Sequence, residues 1–160
     1  MNTARRLTLV TATTVTLIAS FGGFRIYSAE RDLAVLYAAA EHGDPHIHSR
    51  MGLYFYRGDP FPQDFSKAMK WWRRAADQGN AEAQFNVGHM YWFGEGVPRD
   101  AVQSYMWANL AAKQNYAKAI KSIPDLENAM TPEQIGEAKR RANDWRPKPE
   151  ANSASEELER

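Results

Sequence analysis

The sequence predicts an all-α protein, a short α-solenoid of antiparallel helix pairs preceded by one hydrophobic N-terminal helix. Three observations carry that prediction. A segment recurs at an interval of 36 residues, glycines and capping residues divide each copy into two helices, and an uncharged apolar run stands near the front of the chain.

The first element is the apolar run. Arg5 and Arg6 precede Leu7–Phe24, a stretch without a charged side chain and rich in Leu, Val, Ile, Phe, Thr and Ala. A basic start followed by an apolar segment of near-spanning length is the pattern of an export signal. Its basic end is expected to stay in the cytoplasm, which sends the rest of the chain across the membrane. Length favours an uncleaved signal anchor over residues 1–27. A cleaved signal peptide is the alternative, although no Ala-x-Ala site stands there, only Ser20 and Gly22. A buried soluble helix is a third reading. The expected location is the inner membrane, with a single span and a periplasmic C-terminal domain; cleavage would instead release the domain into the periplasm.

The formal net charge of +1 mixes two regions. Three arginines sit in the first 26 residues with no acid, whereas the body is near neutral and slightly acidic, both signs interspersed. Such a surface gives no electrostatic case for nucleic acid. The chain has no cysteine, which excludes a disulfide framework, a lipidated cysteine anchor, thiolate zinc sites and cysteine nucleophiles.

The body repeats. Aligning Ala39–Arg74 with Ala75–Leu110 makes eight positions identical: Ala39/Ala75, Ala40/Ala76, Gly43/Gly79, Gly52/Gly88, Gly58/Gly94, Pro62/Pro98, Asp64/Asp100 and Trp71/Trp107. Roughly two matches are expected from average residue usage. The matched types are small residues, turn residues, a cap and a large anchor, all positions that geometry dictates. In the second copy Gly79 ends one helix and Asn80 caps the next, which runs from about Ala81 to Phe93. Gly94–Asp100 is a turn, and Asp100 caps a helix to about Lys113. The first copy repeats this, with caps at Asp44 and Asp64 and helices to Arg57 and Gln78. A helix over 30–42 covers the open end of the first unit. Each hairpin has two apolar sides, so only stacking removes both from water.

The third unit departs from the pattern. Asn115 replaces the glycine, and Pro124 stands where Gly52 and Gly88 stood, so a break in the helix is expected there. Thr131, Pro132 and Gln134 start a new helix with a capping box, running to about Asn143, and Trp145 closes the core. The solenoid domain is thus expected over 28–145, with units at 39–74 and 75–110 and a cap over 111–145. Residues 146–160 have almost no apolar content and are expected to be disordered. Trp71, Trp107, Phe55 and Tyr91 recur at repeat positions and are assigned to the core, while Trp72, Trp92 and Tyr56 are left free to lie at the surface.

The segment Ala75–Gly88, followed by Met90-Tyr91 and Gly94–Asp100, resembles the Sel1-like repeat family, relatives of tetratricopeptide repeats. The first unit is a degenerate copy, with Pro45-His46-Ile47-His48 and Pro60-Phe61 out of pattern. The stretch Tyr105–Trp107 through Met130–Ile135 resembles how bacterial members end. The resemblance covers about residues 30–145. It implies an interaction module or adaptor of the cell envelope whose concave face holds a protein or peptide partner. Should the geometry follow tetratricopeptide repeats, the first helix of each unit lines that face. Asn86, His89 and Phe93 then point into it, with Arg50, Leu53 and Arg57 as their first-unit equivalents. This mix suits a peptide carrying a carboxylate.

Other chemistries find little footing. No nucleophile elbow, paired-histidine zinc helix or phosphate loop is present, so no catalytic residue, metal or cofactor is expected. His42, His46, His48 and His89 lack a completing ligand pattern and read as surface histidines. The alternative functions are an envelope enzyme or glycan-binding protein acting on the cell wall, or a structural subunit. Two full units are few for such an array, so self-association is a further expectation.

Overall fold

The computed structural model describes residues 35–40 and 43–148. The predicted membrane segment over 1–27, His42 and residues 149–160 of the predicted tail lie outside the described residues. Residues 35–40 are helical, and six helices follow: α1 (Pro45–Arg57), α2 (Phe65–Asp77), α3 (Ala81–Phe93), α4 (Ala101–Lys113), α5 (Ala117–Asn128) and α6 (Pro132–Asp144). Among the described residues there is no strand, and no helix is long and apolar enough to cross a membrane.

The helices start where the sequence places their caps. Asp44, Asp64, Asn80 and Asp100 each sit in extended backbone and accept a hydrogen bond from the first turn that follows, satisfying a donor the helix cannot reach. Thr131 and Gln134 form the reciprocal capping box. At the unit boundary Gly79 has φ of 96°, and Asn115, 36 residues on, takes the same left-handed region at φ of 62°. Asparagine tolerates that region better than any branched residue, which is why it replaces the glycine there.

The interval of 36 governs the hydrogen bonds too. Asp64 N–H donates to the Phe55 carbonyl at 2.9 Å, and Asp100 N–H to the Tyr91 carbonyl at 2.9 Å. A buried polar link between units also recurs. Gln84, fully buried, donates from Nε2 to the Ala76 carbonyl at 3.2 Å and accepts from Gln114 Nε2 at 2.8 Å. One unit earlier His48 holds the same place, its Nε2 2.9 Å from the Ala40 carbonyl and its Nδ1 3.4 Å from Gln78 Nε2. Both contacts are met by one neutral tautomer, protonated at Nε2. His48 is therefore a buried inter-unit strut and not the surface histidine expected of it. His48→Gln is expected to keep the stability within about 1 kcal/mol, whereas His48→Ala removes a buried ring together with its links to the Ala40 carbonyl and Gln78 and costs about 2–3 kcal/mol. Equal losses in urea unfolding of the two variants would refute the equivalence.

Each unit packs as an antiparallel pair, α1 on α2 and α3 on α4. The α2–α3 contact joins the units, and α4 carries both α5 and α6. Met51, Phe55, Trp72, Val87, Met90, Tyr105 and Trp107 form the continuous core. The aromatic assignment needs one correction: Trp72, at 2% exposure, is the buried tryptophan of the first unit, and Trp71 is half-buried. Trp71 packs beneath Tyr37, the His48 ring and the Arg74 guanidinium.

A second correction falls on Pro124. It lies inside a continuous α5, with no break. A proline there removes one hydrogen bond and crowds the carbonyl four residues back, that of Ile120. Pro124 and Ile120 are both exposed, so water reaches the freed group, while Ala119 and Leu126 anchor the helix on its buried side.

The third unit is clamped by Glu127, which accepts from the Tyr105 hydroxyl at 2.6 Å and pairs with Lys139 at 3.0 Å, tying α4, α5 and α6 together. The Tyr105 hydrogen bond, followed by that from Lys139, holds the Glu127 carboxyl below the ordinary glutamate value of 4.5. The stabilisation is complete above that value and is lost as pH falls from it through the lower folded value. Between about pH 3 and pH 6, Glu127→Gln is expected to show a shallower dependence of melting temperature on pH than the wild type. Parallel curves would argue against the clamp. Beyond α6 the chain turns back to α2, where Lys148 N–H donates to the Asp77 carbonyl at 2.7 Å.

Candidate functional site

A groove of about 220 Å³ opens between the first helices of the second and third units. On α3, Phe85, Gly88, His89, Trp92 and Phe93 follow one another at helical spacings of three, one, three and one, and so form a single stripe. Ser122, Asp125 and Leu126 of α5 make the opposite wall, and Ser104 and Ala108 of α4 the floor. Gly88 brings α3 close to that floor: a Cβ there would lie 2.9 Å from the Ser104 carbonyl oxygen.

His89 is held on both sides of the stripe. Its ring centroid is 4.5 Å from that of Phe93 and 6.2 Å from that of Tyr56 on α1. Its Nδ1 lies 3.5 Å from Glu95 Oε2, an ion pair when the imidazole is protonated. Burial, and secondarily the Glu95 carboxylate, push the Tyr56 hydroxyl above its ordinary value. Trp92 carries the Arg99 guanidinium on its face at 5.0 Å. Asp125 forms no ion pair among the described residues.

Of the six residues chosen from sequence, His89 and Phe93 line this groove, and Phe93 is 60% exposed. Asn86 is half-buried on the same helix and outside the lining. The first-unit equivalents lie on α1. Arg50 is exposed and donates to the Tyr54 hydroxyl at 3.4 Å, Leu53 packs against the core, and Arg57 is exposed in the last turn. Phe85 and Trp92 were missed, yet they stand four residues before and three after His89, where helical spacing points. Ser122 and Asp125 were hidden by the expected break at Pro124.

The floor differs between units. Ala108 of the second unit corresponds to Trp72 of the first, whose indole lies against Gly52 and donates to the Ser49 carbonyl at 3.0 Å. The ring also packs on Tyr56, the counterpart of Trp92, with centroids 5.2 Å apart. The close approach is thus made by the α4 backbone itself at Gly88 and by the Trp72 indole at Gly52.

A separate, larger concavity of about 570 Å³ lies along α2. Tyr37, Met69 and Trp71 line it together with Lys67, Lys70, Arg73, Arg74 and Asp77. Asp77 pairs with Arg73 at 3.1 Å, and Asp64 with Lys67 at 3.3 Å. Among the described residues no group of three His, Asp or Glu side chains is arranged to hold a metal ion.

The Sel1 repeat family matches residues 48–80 and 81–116. No curated protein matches the chain. Among solved structures, it is similar to c5321, a protective antigen present in uropathogenic Escherichia coli strains displaying an SLR fold. That likeness has 27% identity and a TM-score of 0.67, covering 77% of this chain and 27% of the other. It is also similar to a Sel1 repeat protein from Oxalobacter formigenes, with 38% identity and a TM-score of 0.56, covering 57% and 27% respectively. The chain therefore spans about a quarter of the length of these two structures. The chain thus carries two Sel1 repeats, at residues 48–80 and 81–116, and the solved structures it is similar to are a protein displaying an SLR fold and a Sel1 repeat protein.

Proposed function

We propose that this chain is a protein-binding adaptor of the bacterial cell envelope, held there by residues 1–27, which takes a partner peptide in the groove between α3 and α5. Sel1 repeats generally mediate protein–protein contacts, and their solenoid is typically a non-catalytic scaffold. The observation that carries the reading is the groove itself. It is open, walled by Phe85, Trp92 and Phe93, and furnished with a few polar groups, His89, Ser122 and Asp125, that fix orientation. The membrane tether rests on Arg5-Arg6 and the uncharged run Leu7–Phe24.

Displayed random peptides selected on the full chain in detergent test the proposal. The expected result is a recurring motif whose binding falls at least about tenfold in Phe93→Ala and His89→Ala, side chains at the groove mouth. Selection of no recurring motif, or a motif indifferent to both substitutions, would reject the groove as the partner site.

A further inference from the structure

The concavity along α2 gathers cations that the described residues balance only in part. Lys67, Lys70, Arg73 and Arg74 line it against one carboxylate, Asp77. Asp77 is taken by Arg73 at 3.1 Å, and Asp64, outside the lining, pairs with Lys67 at 3.3 Å. Lys70 and Arg74, both exposed and one helical turn apart, form no ion pair among the described residues. The floor beside them is apolar, built from Tyr37, Met69 and Trp71, and the Arg74 guanidinium lies 5.1 Å from the centre of the Trp71 ring. Such a surface complements an acidic segment that carries an aliphatic residue among its charges.

The chain itself delivers one to this place. After α6 it crosses back to α2, where Lys148 N–H donates to the Asp77 carbonyl at 2.7 Å and Pro147 Cγ lies 3.9 Å from the position of a Cβ on Gly79. Asp77 lines the concavity, so the described residues end at its edge. Residues 149–160 follow, with Glu150, Glu156, Glu157 and Glu159 against Arg160, and Leu158 among the glutamates. Their reach is ample. Asp77 to Lys67 is about 15 Å along the helix, whereas Lys148 to Glu156 spans up to about 26 Å of extended chain. Surface ion pairs are individually weak, but so short a tether presents the segment at an effective concentration of about millimolar. We infer that residues 149–160 fold back onto α2, the glutamates pairing with Lys70 and Arg74 and Leu158 resting on the apolar floor. The basic surface is then occupied by the chain's own acidic segment, which an acidic partner has to displace.

Zero-length carbodiimide coupling, which joins a carboxylate to an amine only where the two touch, tests this on the full chain in a non-ionic detergent. Peptide mass spectrometry of the monomeric band is expected to find Lys67 and Lys70 joined to Glu156, Glu157 or Glu159. Their yield is expected to exceed that of Lys118 and Lys121, exposed on α5, by at least about fivefold. Raising the salt from about 0.02 M to about 0.5 M is expected to remove the preference. Arg74→Gln, at an exposed position, is expected to lower the Lys70 yield by about 2–5-fold with the helical circular dichroism unchanged. A labelled peptide of residues 149–160 is expected to bind at least about threefold more tightly to the chain carrying Glu156→Gln, Glu157→Gln and Glu159→Gln, in which the surface is vacated, than to the wild type. Equal coupling of all four lysines, coupling of Lys67 and Lys70 to Glu30 or Asp32 instead, coupling confined to a dimeric band, or equal peptide binding by the two chains would each overturn the inference. The groove between α3 and α5 takes no part in these measurements, so either reading can fail without the other.

Discussion

Trp72→Ala is expected to lower the unfolding free energy by about 3–5 kcal/mol, the largest loss for any single truncation in the first unit. Three terms combine. The indole is 2% exposed, so almost all of its transfer free energy is forfeited. Its Nε1–H donates to the Ser49 carbonyl at 3.0 Å, a buried bond lost with it. The wall facing it is Gly52, which has no side chain to lean into the space, so the cavity stays largely open. Trp71, one residue earlier and identical between the units, is half-buried beneath Arg74 and Tyr37. Its replacement by alanine is expected to cost about 1–2 kcal/mol. Urea unfolding followed by circular dichroism distinguishes them, and equal midpoint shifts would mean that Trp72 is not the anchor.

That contrast marks where the sequence was legible and where it was not. The period, the four N-caps, the capping box at Thr131 and the left-handed Asn115 are local features, fixed by chemistry within a few residues of each, and the helices begin and end where those residues place them. Which tryptophan turns inward is a different question. Identity at 36 residues points to Trp71, but helical phase and the absence of a side chain at Gly52 turn Trp72 toward α1. His48 misleads for a similar reason. Its type suggests the surface, and only its alignment with Gln84, together with its contact to the Ala40 carbonyl, shows it to be a strut.

The groove was half legible. His89 and Phe93 follow from the periodicity of α3, because a helix shows one face to its neighbour whatever that neighbour is. Its other half depends on α5 continuing through Pro124. That outcome is decided by the exposure of Ile120 and the burial of Ala119 and Leu126, which are tertiary facts. The basic lining on α2 was invisible for the opposite reason, since averaging charge over the body conceals four cations gathered beside one helix.

Gly52→Ala and Gly88→Ala are both expected to destabilise, by different mechanisms that a double-mutant cycle separates. Alanine in a helix interior normally gains about 0.5–1 kcal/mol over glycine, so any net loss measures the crowding. At Gly88 the new methyl would lie 2.9 Å from the Ser104 carbonyl oxygen and 3.3 Å from the Ala108 nitrogen, both helix backbone. Relief requires α3 and α4 to part by a few tenths of an ångström, a net cost of about 1–2 kcal/mol. At Gly52 the methyl would lie 2.4 Å from Trp72 Cδ1, inside the van der Waals surface of a ring the core holds on every side. The expected net cost is about 3 kcal/mol, at the upper end for overpacking. If the indole is the obstacle, removing it removes the clash. Gly52→Ala combined with Trp72→Ala should then cost at least about 1 kcal/mol less than the two separate losses added together. Gly88→Ala combined with Trp72→Ala, whose contacts lie in different hairpins, should be additive to within about 0.5 kcal/mol. Additivity in the first pair would mean that Gly52 answers to backbone geometry and not to the Trp72 indole.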